Sequence, residues 1–262
     1  MNKVFSTIKD LFPLFMLALV VILIFVPLPV RLIQVLMVLN FGFSLFLFLS
    51  KFFSKTMLSF YFPKLMFYFC LFTGGLIIAT TRTFLATSSL EDQIPFILLI
   101  GQWICRENFV CGFLTTFMLC VALLLFCKIH ITRTQESAAR FCLDRMDQEL
   151  FDIDNQIARK EITEKEGELL KEKVQRKASH LSSMDGTAKF LLGTMGAFTV
   201  LYLVAVGGGV AVGILDRNMY WKDALNQYVM LSSGYLVLFV VPLFLASLGF
   251  KTTKYTKVDI WH

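Results

Sequence analysis

Few residues in this chain have the type and the setting to do chemistry. The clearest pair is an acid and a base four positions apart, Asp185 and Lys189, in Met184-Asp185-Gly186-Thr187-Ala188-Lys189-Phe190 at the mouth of a long apolar run. A carboxyl at a membrane edge can exchange protons with water. An Asp just before a helix is also a good N-cap, accepting backbone N–H bonds and complementing the dipole while Lys189 snorkels along the first turn. On the residues alone the cap is the simpler expectation. The three histidines, His130, His180 and His262, are far apart and read as surface residues rather than ligands. Cys70, Cys105, Cys111, Cys120, Cys127 and Cys142 show no CxxC spacing and no His partners, so they read as small buried hydrophobes, with neither a disulfide framework nor zinc. Asp152-Ile153-Asp154 resembles the start of a calcium loop, but the positions that follow, Gln156 and Ala158 among them, lack the oxygen ligand and glycine such a loop requires. There is no P-loop, no GxGxxG after a strand, no HExxH and no GxSxG, so the expectation is a protein that is not an enzyme and carries no cofactor or metal.

The elements that hold these residues follow from composition. Of 262 residues, 56% are hydrophobic and 17% charged, 28 are Phe, and the mean hydropathy is +0.69. Water cannot be the main solvent of such a chain. The uncharged runs predict an all-α polytopic membrane protein with about six spans, Leu11 to Val30, Leu32 to Ser50, Leu65 to Thr81, Phe109 to Cys127, Phe190 to Ile214 and Tyr228 to Phe250, each near the ~20 residues that cross a bilayer. Pro27 and Pro29 put a tight turn between the first two. Ile94 to Ile104 is too short to cross and is expected to be interfacial or re-entrant. Arg82, closing the third span, looks like an interface anchor. Gly209-x-x-x-Gly213 in the fifth span has the spacing that lets two backbones approach, or alternatively loosens the helix.

Three stretches result: 1–127 with four spans and the short segment, 128–189 as a soluble helical loop, and 190–262 with two spans and a tail. With the N-terminus in the cytoplasm, alternate loops place 20 Lys+Arg inside and five outside, so the positive-inside rule puts both termini and the loop in the cytoplasm. The loop carries twelve basic and twelve acidic residues. Ala138, Ala139, Phe141, Cys142, Leu143 and Met146 give it one apolar helical face, and Thr163-Glu164-Lys165-Glu166 has capping-box spacing, so a hairpin turning near Lys160 to Thr163 is predicted. The net charge of +6 reports orientation; no Arg-rich, aromatic-interleaved stripe points to nucleic acid.

Beyond these patterns, Pro27-Leu28-Pro29, Ala79-Thr80-Thr81-Arg82, Asn108-Phe109-Val110-Cys111-Gly112-Phe113, Ile131-Thr132-Arg133, Glu136-Ser137-Ala138-Ala139-Arg140-Phe141-Cys142-Leu143-Asp144, Asp152-Ile153-Asp154 and the Met184 to Phe190 motif resemble, in order and spacing, the FHIPEP family of flagellar and type III secretion export-gate proteins. The resemblance implies a multi-pass component of the bacterial inner membrane that forms a homo-oligomeric ring, works with other export-apparatus membrane proteins, and uses proton-motive force to pass exported protein substrates across the bilayer. It implies that Asp185 is the proton-responsive group with Lys189 as its basic partner, and that Arg133, Glu136, Arg140 and Asp144 organise the loop and its contacts with neighbouring protomers. Against the family pattern this chain has Thr73 and Ile77 where a basic residue and an Asn are usual, Leu192-Gly193-Thr194 where Lys-Gly-Asp is usual, and Ser233-Gly234-Tyr235 and Val241-Pro242 in place of an acid and Gln-Ile-Pro. It ends at His262, which leads to the expectation of a truncated copy without the cytoplasmic substrate-docking domain. A small transporter and a structural membrane scaffold are the competing readings; an Asp185 that only caps a helix belongs to the second.

Overall fold

The computed structural model describes residues 2–53, 57–86, 95–106, 108–140 and 145–251. Among them the fold is all helix: α1 (Asn2–Phe25), α2 (Val30–Phe53), α3 (Met57–Ala86), α4 (Pro95–Cys105), α5 (Phe109–Arg140), α6 (Met146–Ala158), α7 (Glu164–Leu215) and α8 (Trp221–Lys251). Five of them, α2, α3, α5, α7 and α8, are long and apolar enough to cross a bilayer. The first expected span lies on α1, which stops at Phe25 rather than Val30, because Pro27 and Pro29 have no N–H to continue its ladder. Its apolar stretch among the described residues is Pro13–Phe25. At 11 residues α4 reaches only ~16 Å, half a bilayer, as its sequence predicts.

Helices α3 and α8 form the centre. α8 packs against α2, α4, α5 and α7, and α3 against α1, α2 and α7. Tyr202, Tyr228, Tyr235, Phe69, Phe198 and Phe239 are fully buried between them. The outer helices present Leu14, Val38, Met118 and Val200 outward, each more than half exposed, which is tolerable only where hydrocarbon covers them. Cys70, Cys105, Cys120 and Cys127 are buried, as small hydrophobes should be, whereas Cys111 is exposed on the outer face of α5; Cys142 lies outside the described residues.

One crossing is set by glycine. A Cβ on Gly234 of α8 would stand 1.9 Å from the Ile97 carbonyl oxygen of α4, and one on Gly101 of α4 would stand 2.1 Å from the Met230 carbonyl oxygen of α8. Each backbone thus lies directly on the other.

The two helices around the soluble stretch do not stop at the bilayer edge. α5 runs 32 residues, past Cys127 to Arg140, and α7 runs 52 residues, ~78 Å, from Glu164 through the Met184 to Phe190 motif and the whole fifth span. Hydropathy marks where charge ends, whereas a helix ends only where its hydrogen bonding does. The soluble part is therefore α6 folded back on the first turns of α7. The turn contains Lys160 at φ 56°, in the left-handed region, and Thr163 then begins α7 with a complete capping box. Lys171 pairs with Asp154 at 2.5 Å and Lys177 with Glu149 at 3.3 Å across the hairpin, and Ile153 and Ile157 close over Gly167. Of the apolar face expected from 138 to 146, Ala138 and Ala139 belong to the end of α5, residues 141–144 are outside the described part, and Met146 opens α6.

Candidate functional site

Asp185 does not begin a helix. It sits in the interior of α7, so its backbone N–H partners are already taken and the N-cap reading falls. Its carboxylate instead accepts from Lys189 Nζ at 2.7 Å, one turn on, and stays partly accessible with 30% of the side chain exposed, while Lys189 is 68% exposed. This is an acid–base pair in i,i+4 register on the outward face of a helix that links the hairpin to the membrane bundle.

The opposite face of the same two turns is clamped to α3. Met184, Thr187, Ala188 and Leu191 are buried, and the Phe190 and Phe67 rings meet at a 42° tilt with 4.8 Å between centroids. Thr187 Oγ1 donates to the carbonyl of Ser183, 2.8 Å away on its own helix, and also points at the carbonyl of Pro63 in α3 at 3.2 Å. Pro63 stands inside α3, where it removes one backbone hydrogen bond. Gly186, between Asp185 and Thr187, has open space where a Cβ would be.

The remaining sequence-derived residues separate into two groups. Arg133, Glu136 and Arg140 recur at three and four positions along the end of α5, all exposed and on one face; Asp144 lies outside the described residues. At the other end of the bundle, Arg82 is more than an interface anchor. Its guanidinium donates to the carbonyls of Ile24 at 2.9 Å, Phe25 at 3.0 Å and Val26, so it caps α1, whose own chain cannot, since prolines follow. Gly209 and Gly213 lie under the ring of Tyr228: Cβ atoms there would come within 2.3 Å and 2.8 Å of ring carbons. They seat an aromatic of α8, which is packing rather than a kink.

Three features escaped sequence reading. Arg217, at the turn between α7 and α8, donates to the Tyr228 hydroxyl at 2.5 Å and to the Leu85 carbonyl at 3.1 Å, joining the end of α3 to α8. The Tyr235 and Thr81 hydroxyls hydrogen-bond at 2.6 Å, and the Tyr235 hydroxyl reaches the Ile77 carbonyl at 2.9 Å. Thr73 donates to Asn40 at 2.9 Å inside the bundle. Polar residues at helix ends or within apolar runs mark these positions, but their partners lie 33 to 158 residues away or across a turn, where no local pattern reaches.

Among the described residues outside the membrane spans, Glu166 has a displaced pKa. The Glu166 carboxylate accepts from the backbone N–H of Thr163 and, second, from its hydroxyl, and these bonds hold it below the usual carboxylate range.

A model of the FHIPEP family matches residues 20–252. The chain is 28% identical over 240 residues to "Flagellar biosynthesis protein FlhA" of Bacillus subtilis, covering 91% of this chain and 35% of that protein. It is 28% identical over 255 residues to "Protein MxiA" of Shigella flexneri, covering 96% and 37%, and 27% identical over 248 residues to "Invasion protein InvA" of Salmonella typhimurium, covering 94% and 36%. It thus spans about a third of the length of these curated relatives. No solved structure matches it.

Proposed function

The chain belongs to the FHIPEP family, and from that premise we propose that it is a membrane component of a flagellar or type III protein-export gate. In this reading it sits in the bacterial inner membrane with its termini and the α6–α7 hairpin in the cytoplasm, the side to which 20 of its 25 Lys+Arg are assigned. It joins copies of itself and other export-apparatus proteins, passes unfolded protein substrates, and catalyses no covalent chemistry of its own.

The observation that carries the proposal is the Asp185–Lys189 pair on a continuous α7. A proton arriving on Asp185 removes the charge that holds Lys189. Because the helix is unbroken from hairpin to far bilayer edge, a change in that turn reaches both the soluble face and the membrane bundle without crossing a flexible joint. Proton-motive force would act through this group, and Arg133, Glu136 and Arg140 on the cytoplasmic extension of α5 would organise neighbouring copies. The transported class, exported proteins, follows from the family reading; no particular substrate is named by it.

The test is genetic and direct. Deleting the chain from its own cell should empty the culture medium of the system's exported proteins, and the wild-type chain should restore them. Undiminished export in the deletion, with the rest of the apparatus present, would contradict the proposal.

A further inference from the structure

We propose that Thr187 is a positioning residue that couples the Asp185 turn of α7 to α3 by moving one hydroxyl proton between two carbonyls. The inference rests on Asp185 being the proton-responsive group. Three observations carry it. The Thr187 hydroxyl has a single proton and two acceptors within reach, Ser183 at 2.8 Å on its own helix and Pro63 at 3.2 Å on α3. It is buried, so neither acceptor competes with water. And each helix is weakened near the point where the hydroxyl joins them: α3 lacks the backbone hydrogen bond that Pro63 cannot donate, and α7 carries Gly186, a poor helix former that no neighbour requires, because a Cβ there would meet nothing within 4 Å.

Asp185 and Lys189 lie on the outward face of this turn, and Thr187, two residues on from the acid, lies on the face against α3. A small rotation or lengthening of the turn as the ion pair opens shifts Thr187 relative to both carbonyls. Bonded to Ser183, the hydroxyl leaves α3 free; bonded to Pro63, it ties that turn of α3 to α7. The neighbouring Phe67–Phe190 contact keeps the two helices in register while this exchange takes place.

Packing and hydrogen bonding predict opposite rankings for two variants. Thr187→Val keeps the shape and removes the donor; Thr187→Ser keeps the donor and removes a methyl. With the full chain in its own cell at matched membrane levels, Thr187→Val should lower export about five- to tenfold, the order expected for one hydrogen bond, and Thr187→Ser should export at the wild-type rate. In the purified full chain in phospholipid nanodiscs, amide hydrogen exchange across residues 61–67 should rise in Thr187→Val and not in Thr187→Ser. Wild-type export by Thr187→Val overturns the coupling. Asp185→Asn, run alongside, separates the two claims: if it abolishes export while Thr187→Val does not, the coupling alone is wrong. If Asp185→Asn exports normally, the reading of Asp185 is wrong and the coupling falls with it. Should Thr187→Val fail to accumulate, Gly186→Ala carries the test. It adds one methyl into open space and stiffens the turn, so it must slow export severalfold, and wild-type export by that variant overturns the coupling.

Discussion

At the scale of single residues, charge is used here to finish helices that cannot finish themselves. Arg82 supplies donors to three carbonyls at the end of α1, where Pro27 and Pro29 withhold the backbone N–H groups that would ordinarily do so. Arg82→Ala should cost about 2 kcal/mol, the value of hydrogen bonds from a charged donor, and Arg82→Lys should recover only part of it, since an ammonium cannot span three acceptors as a guanidinium does. Thermal unfolding in detergent checks both. The Thr163–Glu166 box gives a pH prediction. Glu166 has a depressed folded value, so its stabilisation is complete above the unfolded Glu value of about 4.3 and is lost as pH falls through the lower folded one. The protection of amides 164–168 relative to their intrinsic exchange rates should therefore fall on acidification, and Glu166→Gln, which keeps an acceptor but does not titrate, should flatten that response. The capping box was readable from four consecutive residues because both partners sit within one turn. Arg82 announced itself as a charge at a span's end, but its partners lie on another helix, more than fifty residues away.

Among the elements, the crossing of α4 and α8 is the most tightly specified. Gly234→Ala places a methyl 1.9 Å from the Ile97 oxygen, a backbone atom that can move only if α4 moves. Overpacking of this kind should cost about 1–3 kcal/mol, whereas Gly208→Ala, which enters open space on α7, should be neutral or stabilise slightly. Chemical or thermal unfolding of the two variants side by side distinguishes a packing glycine from an incidental one. Both are glycines in apolar helices, and sequence has no means to tell them apart. The same limit explains the Asp185 turn. Met184-Asp185-Gly186 has the composition of a helix start, an acid followed by a helix-weakening glycine, and it falls where hydropathy changes; yet α7 passes straight through, because packing of Met184, Ala188 and Leu191 against α3 outweighs a single glycine's cost. Uncharged runs located the five helices long and apolar enough to cross, and a short run identified α4 as too short to do so; the first of the six expected spans holds only the shorter apolar stretch Pro13–Phe25 among the described residues. What they could not locate were helix ends, which depend on hydrogen-bond partners rather than on hydropathy.

Taken whole, the molecule is a bundle with α3 and α8 inside, apolar side chains turned outward, and one charged hairpin extending from it. The membership of the FHIPEP family and the Asp185–Lys189 pair on an unbroken helix give that shape its proposed task. Asp185 is also the point at which an export gate and an inert scaffold part company, since a scaffold needs only the helix and not the charge. The most direct measurement is therefore the rate of protein export in cells whose only copy carries Asp185→Asn, compared with Asp185→Glu and wild type at equal membrane levels. Loss of export with Asn and substantial retention with Glu is the predicted result; export at the wild-type rate with Asn would contradict a proton-responsive role for this group.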